Sequence, residues 1–192
     1  MTLPASRTPR ASAPMLLACV LLFSCGQPVA RPSDPAAGPI AQAMPADAVV
    51  AHDSAQLKAL LADSNGPSEI WLRAARYDGD FELRRRVSLR GEQGATLFGS
   101  GHGTVLRILA DEARVDNLII RHSGQSHTAE DAGIVAKGRG IQIRNVRVQD
   151  TLFGVSLGPC PRCVLERVHV MGPAEDVQLK GAGIKLWESD DA

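Results

Sequence analysis

The chain has 192 residues and a formal net charge of zero, with 21 Lys and Arg against 21 Asp and Glu, and only 4% of its residues are aromatic. Such a balance lacks the basic footprint of a nucleic-acid-binding protein, and so few rings do not announce an aromatic platform for stacking sugars. Nucleic acid is set aside as a partner.

At the N-terminus, Arg7 and Arg10 precede an apolar run from Ala13 to Phe23, short for a membrane span but the right length for a signal-peptide core. Export follows, to a periplasmic or cell-envelope location. Leu22-Phe23-Ser24-Cys25-Gly26 is similar to a bacterial lipobox, which makes Cys25 the expected lipidation site; Leu16-Leu17-Ala18-Cys19 is a second match with a shorter apolar core. We therefore read residues 1–25 as signal peptide and lipobox, and expect membrane association only through the lipid anchor. Ordinary cleavage to a free periplasmic product is the alternative. Residues 26–48, rich in Pro and Ala, read as a flexible tether. Residues 49–192, about 145 residues, suffice for one domain with its own core.

The domain opens with Ser54 placed as an N-cap before Ala55 to Ala62, where Leu57, Leu60 and Leu61 share one helical face. An amphipathic helix here would cover the end of a stack of strands. A strand is expected at Glu69 to Leu72, a turn at Tyr77-Asp78-Gly79-Asp80, and strands at Phe81 to Leu83 and Val87 to Leu89. Gly91 to Gly103 supplies corners around Ala95-Thr96-Leu97.

From Val105 onward one pattern recurs. Gly133 to Ala136 with Ile141 to Val148 is echoed 21 residues later by Gly154 to Leu157 with Val164 to Val170. An earlier copy, Val105 to Ile108 with Val115 to Ile120, and a last partial one, Gly183 to Trp187, lie 28 to 29 residues away. Each copy holds short alternating strands that cannot bury their apolar faces alone and must stack on the next copy. With no helical pattern between them, they predict an all-β fold, a right-handed parallel β-helix wound as a single solenoid of four to five coils.

One corner carries extensions. The gaps from Ile120 to Ile134, Val148 to Val155 and Val170 to Ile184 measure 14, 7 and 14 residues. Stacked coils would raise both long loops side by side, and insertions on one face of a repeat protein often form its binding surface. The candidate binding edge is His122, His127, Glu130, Asp131, Asp150, Met171, Glu175 and Asp176, a polar and partly metal-competent set. Solvated loop side chains are the alternative for each.

At the opposite corner, Cys160-Pro161-Arg162-Cys163 admits three readings: a disulfide clipping the turn, a thiol-disulfide exchange site, or a soft-metal site for Cu(I) or Zn(II), with His169 as a conceivable third ligand. On the strand faces, Arg144, Arg147 and Arg167 read as a basic ladder with the single carboxylate Glu166. That is poor equipment for glycoside hydrolysis, which needs paired carboxylates, although an acidic glycan or protein surface would suit it. Asn117 and Asn145, 28 apart, read as an Asn ladder with amides bonded along the stack.

Thr128 to Ile134 (TAEDAGI), Asp150 to Leu157 (DTLFGVSL) and Gly181 to Trp187 (GAGIKLW), with Leu89 to Ile108 before them, resemble the NosD family, periplasmic β-helix proteins of nitrous oxide reductase maturation with CASH-type repeats. The resemblance implies a non-enzymatic scaffold that assists an ABC transporter in assembling the reductase's copper-sulfide centre. Its implied partners are the transporter permease and ATPase, a copper chaperone and the apo-reductase, with copper as the possible cofactor. The family lends Cys160 and Cys163 no role, although service to a copper enzyme favours Cu(I) on two thiolates. This chain is shorter than the family's members and stops just after a strand, so we expect further coils beyond Ala192. The competing reading is a surface-anchored β-helix that binds or processes glycans.

Overall fold

The computed structural model describes residues 44–172 and 181–188. The signal peptide and lipobox with Cys19 and Cys25, residues 26–43 of the tether, and Glu175 and Asp176 of the second long loop lie outside the described residues.

The strands form a right-handed parallel β-helix with three columns of short strands, every pairing parallel. The first column runs through β1 (Val50–Ala51), β2 (Glu69–Leu72) and β5 (Ser88–Gly91). It continues through the leading halves of β8 (Arg114–Arg121) and β10 (Gln142–Gln149) to β12 (Val164–Glu166). The second takes β3 (Arg76–Asp78), β6 (Thr96–Phe98), the trailing halves of β8 and β10, and β13 (His169–Met171). The third is a separate sheet of β4 (Phe81–Leu83), β7 (Leu106–Ile108), β9 (Ala132–Ala136), β11 (Phe153–Leu157) and β14 (Ile184–Leu186).

Register converts the sequence repeat into vertical columns of apolar side chains. Ile70, Leu89, Val115, Ile143 and Leu165 stack in the first column of strands; Tyr77, Leu97, Ile120, Val148 and Val170 in the second; Phe81, Leu106, Ile134, Val155 and Ile184 in the third. The members from the first four coils are buried in one core cluster. Each such side chain contributes about 1.5–3 kcal/mol on leaving water. In the last coil the same columns open out: Ile184 is 46% and Leu186 60% exposed.

The N-terminal end is covered by α1 (Ser54–Ala62), whose Leu57 and Leu61 join the core. Its N-cap is Asp53, not Ser54: the Asp53 carboxylate accepts the Gln56 N–H at 2.7 Å, while the Ser54 hydroxyl accepts the Asp78 N–H at 2.6 Å and ties the helix to β3. At the other end of the helix, the Arg85 guanidinium donates to the carbonyls of Leu60, Asp63 and Pro67 at 3.1, 2.9 and 2.7 Å, satisfying acceptors the helix terminus leaves open. A second departure from the sequence expectation is β3 itself. Tyr77 sits in a strand rather than a turn because its ring fills the core and its hydroxyl donates to the Ala51 carbonyl at 2.7 Å; the turn falls one residue after the strand, at Gly79 with φ +113°. Burial pushes the Tyr77 phenol above its ordinary range.

Corners also stack. Asn117, Asn145 and Arg167 share one position, and all three adopt left-handed backbone with φ of 56°, 53° and 52°. The expected Asn ladder is corrected at this level. The Asn117 amide donates to the Gly91 carbonyl at 2.6 Å and the Asn145 amide to Asp116 at 2.7 Å, while Arg167 Nε donates to Asn145 Oδ1 at 2.6 Å. The position selects for tolerance of positive φ and for reach to the coil above, so an Arg can stand where an Asn stood.

Two glycines are fixed by packing. A Cβ at Gly133 would sit 2.4 Å from Val148 Cγ1, and one at Gly154 2.2 Å from the Gly183 carbonyl oxygen and 2.4 Å from Val170 Cγ1. The recurring Gly-Ile and Gly-Val dipeptides therefore mark where a strand of the third column passes against a valine of the second. Gly133→Ala should cost about 2 kcal/mol by overpacking. Urea unfolding followed by circular dichroism measures it; a variant as stable as the parent would refute this packing account.

Candidate functional site

The extended corner between β8 and β9 is held by its own backbone and by one carboxylate. Asp131 is buried, and its Oδ2 accepts the Ser126 N–H at 2.9 Å while its backbone carbonyl accepts the Phe153 N–H at 3.1 Å. The buried Ser123 hydroxyl accepts the Leu152 N–H at 3.0 Å and donates to the Gly124 carbonyl at 2.9 Å. The loop is thereby fastened to the coil beneath it. Asp131, foreseen as part of the exposed edge, faces the interior and closes the loop.

His122 takes left-handed backbone, φ 66°, and stacks on Phe98 with ring centroids 4.7 Å apart. The Arg76 guanidinium carbon lies 3.6 Å from the Phe98 ring centroid, and His122 Nδ1 is 3.5 Å from Asp150 Oδ2. Arg76, Phe98, His122 and Asp150 form a column down the outside of the corner. The half-exposed His122–Asp150 pair adds little by charge alone, so the stack is what fixes the imidazole. His127 meets Phe153 edge-on at 5.8 Å, and Met171 is exposed with its sulfur 3.8 Å from Gln149 Nε2. Among the described residues no group of three His, Cys, Asp or Glu side chains gathers as a metal site.

The loop also forms one wall of a groove of about 430 Å³ on the outer face of the third column. Arg107, Val135, Ser156 and Lys185 are successive register partners along its floor. Thr104, Ala129 and Glu130 line one side; Lys137, Gly158, Pro159, Trp187 and Glu188 line the other. Glu130 reaches down two coils to pair with Lys185. The Lys185 ammonium stands 5.9 Å from each of the Phe153 and Trp187 ring centroids, within cation–π range. Among the described residues the side chains of Arg107 and Lys137 have no hydrogen-bond or ion-pair partner. Sequence reasoning missed Arg107, Lys137 and Trp187 as a set, because nothing in their spacing sets them apart until the register is known.

The supposed basic ladder has a different composition. Register places Arg90, Asp116, Arg144 and Glu166 in one vertical file, with Arg147 in another beside Ile119 and His169. Charges alternate down that file. Arg144 Nε is 3.2 Å from Glu166, which also pairs with Arg167. The carboxylates are thus separated by a guanidinium rather than by space for a water.

At the opposite corner Cys160 and Cys163 are joined as a disulfide, with Cα atoms 5.6 Å apart, and both pack into the core cluster. The turn is stitched to the coil above by Gly138 N–H to the Pro159 carbonyl at 3.1 Å and Gly140 N–H to the Pro161 carbonyl at 2.9 Å. While bridged, neither sulfur is a thiolate that could ligate a metal. His169 is exposed on β13.

By fold the chain is a right-handed parallel β-helix, and its outer face carries a loop-walled groove. Its sequence is similar to the "Probable ABC transporter binding protein NosD" of Pseudomonas aeruginosa, 36% identical over 138 residues, covering 69% of this chain and 31% of that protein. The chain thus spans under a third of that relative's length. No family model matches the chain. Among solved structures it is similar to a pectin methylesterase mutant in complex with a hexasaccharide, with TM-score 0.47, 15% identity and coverage of 78% of this chain and 68% of that one. It is also similar to the pectin methylesterase of Aspergillus niger, with TM-score 0.43, 13% identity and coverage of 76% and 68%. Among the described residues no helix is long and apolar enough to cross a membrane.

Arg162 lies between the two bridged cysteines, which gives a direct check. Trypsin cleavage after Arg162 without reductant should leave two peptides joined through Cys160 and Cys163, separating on reduction. Recovery of the unlinked peptides from unreduced protein would remove the bridge.

Proposed function

We propose that this chain is a non-enzymatic β-helix scaffold of the cell envelope that docks on an ABC transporter. The single observation behind the reading is its 36% identity over 138 residues to a protein whose name describes ABC transporter binding. The finer role we assign is support of copper-sulfide centre assembly in nitrous oxide reductase. In that role the solenoid sits in the periplasm, held by a lipid on Cys25 and a tether over residues 26–48, and meets a copper chaperone and the apo-reductase.

The strand faces support a role without catalysis. Glycoside hydrolysis requires two carboxylates facing a shared gap. Here Asp116 and Glu166 flank Arg144 in one file, and Glu166 is also neutralised by Arg167. What remains exposed is a rigid set of contacts at the corner: the stacked His122 with Asp150, His127 against Phe153, and Met171. These residues can meet a protein partner, and the imidazoles and thioether are soft enough to touch a copper ion passed between partners. Cys160 and Cys163 act in this reading as a bridge that fastens a turn.

The test is capture. The tagged chain, produced in its exported form, should retain the ABC permease and ATPase encoded in the same genome after detergent solubilisation, and His127→Ala with Met171→Ala should reduce retention at least about fivefold. That corresponds to about 1 kcal/mol, the loss expected from two exposed interface contacts. A folded chain that retains neither transporter subunit would sink the scaffold reading.

A further inference from the structure

We propose that the groove over the third column of strands is a binding site for an acidic oligosaccharide. The groove does not rest on the transporter reading, and the two succeed or fail separately.

The floor and walls specify the ligand's chemistry. Arg107 and Lys137 present two cations with no partner among the described residues, one on the floor and one on the wall. Lys185 is already matched to Glu130, and with Glu188 counted against Arg107 and Lys137 the lining still carries one more cation than carboxylates. An unpaired cation in a concave site favours an anionic ligand, since the walls displace water and strengthen the attraction. The Ser156 hydroxyl on the floor adds a further donor.

Trp187 supplies the other half. Its indole is 60% exposed at the lip, whereas Trp71, the second tryptophan of the chain, is buried. A flat apolar ring beside cations takes the apolar face of a sugar ring while its carboxylate meets Arg107 or Lys137. Gly158, between Lys137 and Trp187, leaves the gap open: a Cβ there would meet Lys137 Cγ at 2.8 Å. The floor from Arg107 to Lys185 crosses three inter-strand steps, about 14 Å, enough for several linked sugar rings.

An acidic peptide fits less well. The groove runs across the strands, whose backbone groups are engaged with neighbouring coils, so a peptide cannot pair with the sheet. Its own N–H groups would need acceptors, and the polar side chains of the floor, Arg107, Ser156 and Lys185, are donors, with carboxylates only at the walls in the paired Glu130 and in Glu188. A uronate chain, rich in acceptor oxygens and without amide spacing to satisfy along its backbone, matches that bias.

The experiment is calorimetric titration of the folded chain with three probes: a hyaluronan tetrasaccharide, the neutral chitotetraose and a hexaglutamate peptide. We expect the hyaluronan tetrasaccharide to bind, to weaken as salt is raised, and to lose affinity about tenfold with Arg107→Ala, with Lys137→Ala or with Trp187→Ala. Among the described residues the Arg107 and Lys137 side chains make no hydrogen bond or ion pair, so their variants should melt close to the parent. Chitotetraose should bind at least about tenfold more weakly, as a site built on charge demands. Absence of hyaluronan binding, binding unchanged in the Arg107→Ala and Lys137→Ala variants, or equal affinity for chitotetraose would overturn the proposal. Hexaglutamate binding as tightly as the tetrasaccharide would also overturn it, by assigning the groove to acidic protein segments.

Discussion

Everything in this molecule depends on vertical register. A coil of three short strands has an apolar inner face and no second layer to cover it, so its side chains are buried only when the neighbouring coil places equivalent residues directly above and below. Parallel pairing does this because each strand repeats its predecessor's alternation. A slip of one residue would turn Ile134, Val155 and their neighbours outward and bring Arg107, Val135, Ser156 and Lys185 into the core. The burial of a dozen large side chains therefore fixes the placement of the polar ones.

That coupling is how the groove and corner arise from apolar packing. Loops of unequal length can be inserted between strands without disturbing register, as long as their ends return to the column. The loop from His122 to Asp131 does so through Asp131 and Ser123, whose hydrogen bonds to Ser126 and Leu152 make it a wall rather than a loose insertion. Lys185 then spans from the last described strand to Glu130, joining coils that do not pair directly. A wall, a floor of outward strand positions and a lip at Trp187 are consequences of one loop inserted into an otherwise regular winding.

The fold was legible because its signal is a period. Gly133-Ile134 and Gly154-Val155 repeat with the strands around them, and the reason is steric: the valines at 148 and 170 leave no room for a Cβ. The cap helix was legible from Leu57 and Leu61, though its N-cap fell on Asp53, since an aspartate and a serine in succession offer equivalent side-chain oxygens and only the backbone geometry chooses. Tyr77 was misplaced in a turn because Asp78 and Gly79 carry the local turn signal, while burial of the phenol ring is a tertiary effect. The geometry of the extended corner was half legible. Loop length located the insertion, but side-chain direction did not follow from it: Asp131 turned inward, and His122 was engaged by Phe98, a residue 24 positions earlier in sequence.

The charges show most clearly what a sequence read along the chain omits. Arg144, Arg147 and Arg167 look like a set because they are close in sequence, yet the neighbours that matter are a coil away. Register makes Arg144 a member of an alternating file with Asp116 and Glu166, and Glu166 also pairs with Arg167 beside it, while Arg147 stands in a separate file. Arg107 and Lys137, 30 positions apart and individually unremarked, line one groove on the other sheet, and among the described residues neither is held in an ion pair. In a solenoid, a charged residue acquires its meaning from positions one coil before and after it, so the informative unit for function is the register file rather than the motif. By that criterion the outer face divides into a side where Arg144 and Arg167 are tied to Glu166, and a side where Arg107 and Lys137 stand outside any ion pair among the described residues beside an exposed indole, where a ligand would gain from replacing water.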